Sequence, residues 1–201
     1  MKRLGGRLLL ATHNAGKLEE MRALLAPLAS TVTGAGELGL AEPAETEETF
    51  AGNARIKAQA GVAATGLPTL ADDSGLTVDA LGGQPGVHTA DWAVTPGGRD
   101  FRMAMTRLWT ALEDARAPEP RRAQFRATLL LVLPDGSELL AEGVTPGRIV
   151  WPPRGTGGHG YDPIFVPEGE TRTFAEMTLE EKNRLSHRAR AFAALEAQLV
   201  R

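Results

Sequence analysis

Cysteine is absent from all 201 residues. Disulfides, thiolate metal centres and a cysteine nucleophile are thereby excluded, and the chain suits a reducing compartment. Histidine is sparse: the four are scattered, and none stands at a His/Glu spacing that would build a zinc site. Long apolar runs are missing too. The N-terminal stretch "MKRLGGRLLLATHN" holds only the short run Leu8–Ala11. That is too short for the hydrophobic region of a signal peptide or for a membrane span. Nor is there an excess of positive charge. A formal net charge of −3 gives no global attraction to nucleic acid or anionic membrane, so any anion site must be local. These absences together lead us to expect a soluble cytoplasmic protein.

What is present is ordinary for a globular chain, with 42% hydrophobic and 23% charged residues. The length fits one domain, 1–201, with a sizeable core. Leu8–Thr12 reads as a buried strand. From Ala15, apolar residues at Leu18, Met21, Leu25 and Leu28 follow a helical period, with Asn14 as N-cap and Pro27 as the stop. Thr31–Gly39 reads as a short strand and loop, and Thr49–Thr65 as a second helix ended by Gly66. Thr69–Ala71 and Leu76–Val78 read as two strand segments around a polar break, "DDSG". Phe101, Met105, Leu108 and Leu112 mark a third helix. Phe125–Leu133, the turn "PDGS" and Glu138–Val144 read as a hairpin. Near the C-terminus, Thr178 with Glu181 matches a capping box, and Ser186 is a second candidate N-cap. Strands and helices are mixed, so we expect an α/β or α+β sheet fold.

Four stretches carry chemistry. In "THNAGKLEEM", Gly16 and Lys17 suggest a phosphate loop. Ala11 stands where a Walker loop needs its first glycine, and Leu18 where it needs a hydroxyl, so that motif is not met. A strand running into a helix start still presents free backbone N–H groups, and Lys17 adds a full charge. The stretch is either an anion cradle or an ordinary strand-to-helix turn. "ADDSGL" places Asp72, Asp73 and Ser74 together; adjacent carboxylates repel unless a cation or water relaxes them, and Mg²⁺ accepts such oxygen ligands. The bland alternative is a polar turn. Glu45, Glu47 and Glu48 precede the second helix, on which Asn53 and Lys57 share a face, toward either a ligand or solvent. "GTGGHGYD", 155–162, lets a backbone approach a ligand closely or simply turn, and His159 and Tyr161 offer flat rings. In "EKNRLSHRAR", a break before Ser186 would let Lys182 and the next helix start converge on one anion; otherwise it is a solvated basic face.

Taken together, "LATHNAGKLEEM", "TFAGNARIKA", "LADDSGLTVDALGGQPGVHTADWA", "GTGGHGYDPIFVPEG" and "TFAEMTLEEKNRLSHRARA" resemble the noncanonical purine nucleoside triphosphate pyrophosphatases, the inosine and xanthosine triphosphate pyrophosphatase family. Each stretch is weak alone; all five, in that family's order, are specific. The resemblance implies an elongated mixed sheet with helices, two lobes around a nucleotide cleft, and a homodimer. It implies Mg²⁺-dependent hydrolysis of a nucleoside triphosphate to the monophosphate and pyrophosphate. It casts Thr12, His13, Asn14, Ala15, Gly16 and Lys17 as the triphosphate-binding turn. Asp73 becomes the proton acceptor and metal ligand, Glu45 a metal-associated acid, and Ser74 and Lys57 substrate contacts. His159, Gly160, Tyr161 and Asp162 match the base-binding loop; Lys182, His187 and Arg188 match nucleotide contacts.

Three positions depart from the family pattern. His13 stands where Gly or Asn is usual, His159 where Phe usually stacks on the base, and Thr89-Ala90-Asp91 replaces "SAR". Two other readings compete. One is a Maf-type pyrophosphatase preferring pyrimidine triphosphates, against which "SHR" and "GHGYD" argue. The other is a nucleotide-binding sensor that no longer hydrolyses, which the Asp72-Asp73 pair and Lys17 disfavour.

Overall fold

The computed structural model describes residues 6–26 and 29–199, the side chains of residues 15, 16 and 20 excepted. The expected helix stop at Pro27, and Leu28 with it, lie outside the described residues.

Strand β1 (Arg7–Leu10) is an apolar run, buried at Leu8, Leu9 and Leu10. It leads into helix α1 (Ala15–Leu25), which starts where Asn14, still extended, accepts the Lys17 N–H at 3.0 Å. Leu18, Met21 and Leu25 form the buried stripe of α1, as their spacing requires. Strand β2 (Thr31–Gly34) follows. Helix α2 (Phe50–Thr65) opens on Thr49, whose hydroxyl accepts the Gly52 N–H at 3.0 Å, and ends at Gly66 in the left-handed conformation. Its buried face is small: Asn53, Ala54, Lys57, Ala58 and Gly61. A Cβ at Gly61 would stand 2.6 Å from Thr69 Cγ2 and 2.8 Å from Leu9 Cδ2, so the glycine lets this helix lie close on the sheet.

Strand β3 (Thr69–Val78) is continuous, contrary to the expected break at "DDSG". The acids stay within a buried strand because lysines from α1 and α2 reach their carboxylates, which removes the charge-burial penalty that a polar break would otherwise avoid. Two short strands, β4 (Val94–Thr95) and β5 (Gly98–Arg99), pair with each other ahead of helix α3 (Phe101–Asp114). The hairpin of β6 (Arg122–Val132) and β7 (Glu138–Ile149) is longer than its apolar pattern suggests. Strand β8 (Phe165–Pro167), helix α4 (Leu179–Leu185) and helix α5 (His187–Leu199) complete the chain. The Thr178/Glu181 capping box opens α4, and extended Ser186 separates α4 from α5.

Six strands form one sheet in the order β2-β1-β3-β6-β7-β8. β1 is parallel to β2 and β3, and β7 is antiparallel to β8, so the sheet is mixed. Parallel neighbours need crossover connections, which α1 and α2 supply. The chain divides into two compact units, whose boundaries fall inside β3, β6, β7 and α5. The first comprises residues 1–73, 127–143 and 189–201, with a core that includes Leu10, Met21, Leu25, Leu129, Leu131 and Leu195. The second comprises 74–126 and 144–188, cored by Leu76, Leu108, Phe125, Phe165 and Phe174 among others. Among the described residues, no helix is long and apolar enough to cross a membrane.

Candidate active site

In the first unit, Lys57 is the centre of a buried polar cluster. Its ammonium donates to Asp73 Oδ1 at 2.8 Å, to Glu45 Oε1 at 2.8 Å and to the Asp72 backbone carbonyl at 3.0 Å. All three of its protons are thus used. Lys17 pairs with Asp72 Oδ2 at 2.8 Å. Asn53, one turn before Lys57 on α2, accepts the Glu47 N–H at 2.9 Å and so holds the acidic segment that carries Glu45. The inward reading of Asn53 and Lys57 is the one observed: both are buried. Lys17 and Lys57 are thus both engaged with carboxylates, those of Asp72, Asp73 and Glu45.

Burial pushes the Asp73 carboxyl above its ordinary value, and Glu45 and Asp72 add to this, while Lys57 opposes it without cancelling it. Burial alone would lower the Lys57 ammonium; the attraction of Asp73 and Glu45 outweighs it and raises the group. The second carboxylate oxygen of Asp73, Oδ2, is buried and finds no hydrogen-bond donor among the described residues.

The second unit gathers the other candidates. Asp162 Oδ2 accepts the His159 N–H and the Lys182 ammonium, each at 2.6 Å. One buried carboxylate therefore shapes the glycine loop and ties it to α4. Gly158 makes this possible: at φ +74 any Cβ would collide with the Asp162 carboxylate. Tyr161 is buried, meets Phe101 edge-on, and donates its hydroxyl to the Thr89 carbonyl at 3.3 Å. Burial pushes its phenol up to about 12, although Arg107 opposes this, so it stays a neutral donor. His159 is exposed at the loop tip. His187 is buried and stacked on Phe125, with ring centroids 5.0 Å apart and planes 13° apart. Arg188 donates to Ser74 Oγ at 3.2 Å.

The sequence profile of the Ham1 family matches residues 8–198. This chain belongs to the Ham1 family. It is 64% identical over 187 residues to the dITP/XTP pyrophosphatase of Ruegeria pomeroyi, covering 93% of this chain and 92% of that relative. It is 52% identical to the dITP/XTP pyrophosphatase of Rhodopseudomonas palustris over 96% of both chains. Among solved structures, a HAM1 protein from Coxiella burnetii superposes with a TM-score of 0.88 at 37% identity, covering 97% of this chain and 98% of that one. The nucleoside-triphosphatase / dITP/XTP pyrophosphatase from Mycobacterium abscessus gives a TM-score of 0.76 at 42% identity, covering 94% and 98%.

Within this Ham1-family chain, the structure brings Lys17, Glu45, Lys57 and Asp73 together in one cluster, and His159, Asp162 and Lys182 in another. Thr12, Asn14 and Lys17 hold the strand-to-helix turn: Asn14 N–H donates to Thr12 Oγ1 at 3.2 Å, and Asn14 in turn caps α1. The backbone of Ala15 and Gly16 forms the first residues of that helix. His13 does not leave its ring open; Nε2 lies 2.7 Å from the Leu40 carbonyl oxygen. Asp91 pairs with His88 at 2.9 Å on the surface, and Thr89 braces the second unit by accepting the Leu76 N–H at 2.9 Å. Sequence reasoning missed the Lys17–Asp72 pair and the Phe125 platform beneath His187. The first was signalled only by two lysines against an acidic dipeptide; nothing local signalled the second.

Among the described residues, no group of three or more His, Asp or Glu side chains closes around one point. Two carboxylates, Asp73 and Glu45, instead share the Lys57 ammonium, and Asp73 Oδ2 is buried with no donor among the described residues. Such an open oxygen set fits Mg²⁺, which takes one or two carboxylates, keeps several waters and completes its shell with phosphate oxygens.

Proposed function

We propose that this chain is a hydrolase that converts noncanonical purine nucleoside triphosphates, dITP, ITP and XTP, to the monophosphate and pyrophosphate, cleansing the nucleotide pool, with Mg²⁺ as cofactor. The observation that carries this reading is the Lys57 cluster, in which Lys57 and Lys17 are both paired with carboxylates. Ammonium groups engaged in this way are not open to a polyphosphate. A divalent cation held by Asp73 and Glu45 would leave Lys17 and Lys57 free to bind phosphate oxygens. The names of the relatives from Ruegeria pomeroyi and Rhodopseudomonas palustris support the substrate class.

Mg²⁺, when held by Asp73 and Glu45, supplies Lewis-acid polarisation of the phosphate oxygens. The chain's own residues do the rest. Lys17, Lys57 and the N–H groups of Thr12–Lys17 position the triphosphate. Asp73 accepts a proton from water as the new O–P bond forms at the α-phosphorus. The α–β bridging bond breaks, pyrophosphate leaves, and the proton passes from Asp73 to solvent. Ser74 contacts substrate, and His159–Asp162 and Lys182 bind the base and sugar side. His187 and Arg188 donate toward a 6-oxo group. Adenine would present an amino donor there instead of an acceptor, so ATP is spared; guanine shares the 6-oxo group, so sparing GTP must come from the 2-position. The chain acts as one catalytic domain, in the cytoplasm, as a homodimer, which light scattering at assay concentration checks.

The test is incubation with Mg²⁺ and each of the inosine, xanthosine, guanosine, adenosine and thymidine triphosphates, separating pyrophosphate from phosphate. Pyrophosphate from the first two alone supports the reading. Release mainly from the thymidine substrate would point to a Maf-type enzyme instead. Asp73→Asn should abolish turnover in a folded protein; near-normal turnover removes Asp73 from the catalytic role.

A further inference from the structure

The segment from Leu40 to Glu47 is neither helix nor strand, yet it carries Glu42, Glu45 and Glu47. Like charges on an irregular segment spread it apart unless something fixes it. Packing does not: a cavity of about 300 Å³ lies between Leu40–Pro43 and residues of α2 that include Ala60 and Ala64. Three side chains hold the segment instead. Lys57 binds Glu45, Asn53 binds the Glu47 N–H, and at the leading end His13 Nε2 meets the Leu40 carbonyl at 2.7 Å. The first two tethers come from α2. His13 comes from the turn between β1 and α1, beside Lys17.

The chemistry of the contact assigns the tautomer. A carbonyl oxygen only accepts, so Nε2 carries the proton and donates. The ring that stands in the phosphate-binding turn is thus committed to the acidic segment. Backbone bonds extend the same join: Ala35 N–H donates to Leu10 O at 2.9 Å and Gly36 N–H to Thr12 O at 3.2 Å. Beyond Leu40, the segment enters the unpacked stretch over the cavity.

We propose that His13 is a positioning residue that tethers the Leu40–Glu47 segment to the turn, so that Glu45 stays within reach of Lys57 and Asp73 and the Mg²⁺ requirement is set by this contact. The Mg²⁺ part rests on the function proposed above; the tether does not.

The test compares His13→Ala with His13→Gln, whose amide nitrogen reaches where Nε2 stands. In metal-free protein, His13→Ala should speed exchange of the amides of residues 41–48 by about three- to tenfold, the factor one net hydrogen bond sets. Exchange within α2 should not change, and His13→Gln should restore the wild-type rate. In turnover of dITP, the Mg²⁺ concentration for half-maximal activity should rise by a like factor in His13→Ala. His13→Gln should bring the Mg²⁺ requirement back to that of wild type. Unchanged exchange in His13→Ala overturns the tether. A raised KM for dITP at saturating Mg²⁺, with no shift in the Mg²⁺ requirement, overturns the positioning role in favour of direct substrate contact. Faster exchange in His13→Ala, where even wild type hydrolyses nothing, upholds the tether and refutes the enzymatic reading instead.

Discussion

Replacing Lys57 by Met keeps the length and stem of the side chain and removes its charge. Three hydrogen bonds vanish at once: to Asp73, to Glu45 and to the Asp72 carbonyl. The side chains of Lys57 and Asp73 are 9% and 10% exposed, so water does not replace what is lost. Asp73 and Glu45 then lose the ammonium that paired them. Removing one partner of a buried ion pair costs about 3–5 kcal/mol, a large part of the roughly 5–15 kcal/mol that holds a domain together. At a urea slope of about 2 kcal/mol/M, the unfolding midpoint of the metal-free variant should fall by about 1.5–2.5 M. Mg²⁺ should then stabilise the variant more than the wild type, because a cation takes over the work of the missing ammonium. The assay is urea unfolding with EDTA and with excess Mg²⁺. A midpoint within about 0.3 M of wild type in EDTA, less than 1 kcal/mol at that slope, would refute the claim that Lys57 neutralises the cluster.

Other substitutions probe neighbouring parts of the same argument. Asp73 binds its proton more tightly folded than unfolded, because burial raises it above 3.8. Its contribution to stability is therefore present below that value and lost as pH climbs through the folded value. In EDTA, the stability of wild type relative to Asp73→Asn should fall from pH 4 to pH 7; a difference that grows with pH contradicts the direction of the shift. Gly61→Ala gains helix propensity of about 1 kcal/mol but forces a Cβ against Thr69 and Leu9, at about 1–3 kcal/mol. Calorimetry should find it less stable than wild type, and a higher Tm would mean the helix can lift from the sheet at no cost. Gly158→Ala meets both a left-handed backbone and the Asp162 carboxylate. It should lower Tm by about 4–8 °C for about 2 kcal/mol of strain, and separate Lys182 from Asp162, whereas an unchanged Tm would show that the loop can rebuild.

Local physics was legible in the chain itself. Asn14, Thr49, Gly66 and the Thr178/Glu181 box end or begin helices where expected, because a cap satisfies donors within three residues of itself. The stripe of α1 and that of α3 follow from spacing alone. Family membership was legible as well, since five separated stretches keep one order across nearly the whole chain. "DDSG" was misread as a break because its stability depends on Lys17 and Lys57, which lie in other elements and are brought to it only by folding. The same holds for His187: its place on Phe125 depends on a strand 62 positions earlier in the numbering. The sequence by itself thus determined the elements, their caps and the family, which rest on contacts among near neighbours. Only the tertiary structure decided which charges are paired, which are buried and that His13 faces the Leu40 carbonyl, because desolvation and pairing are properties of groups assembled from distant parts of the chain.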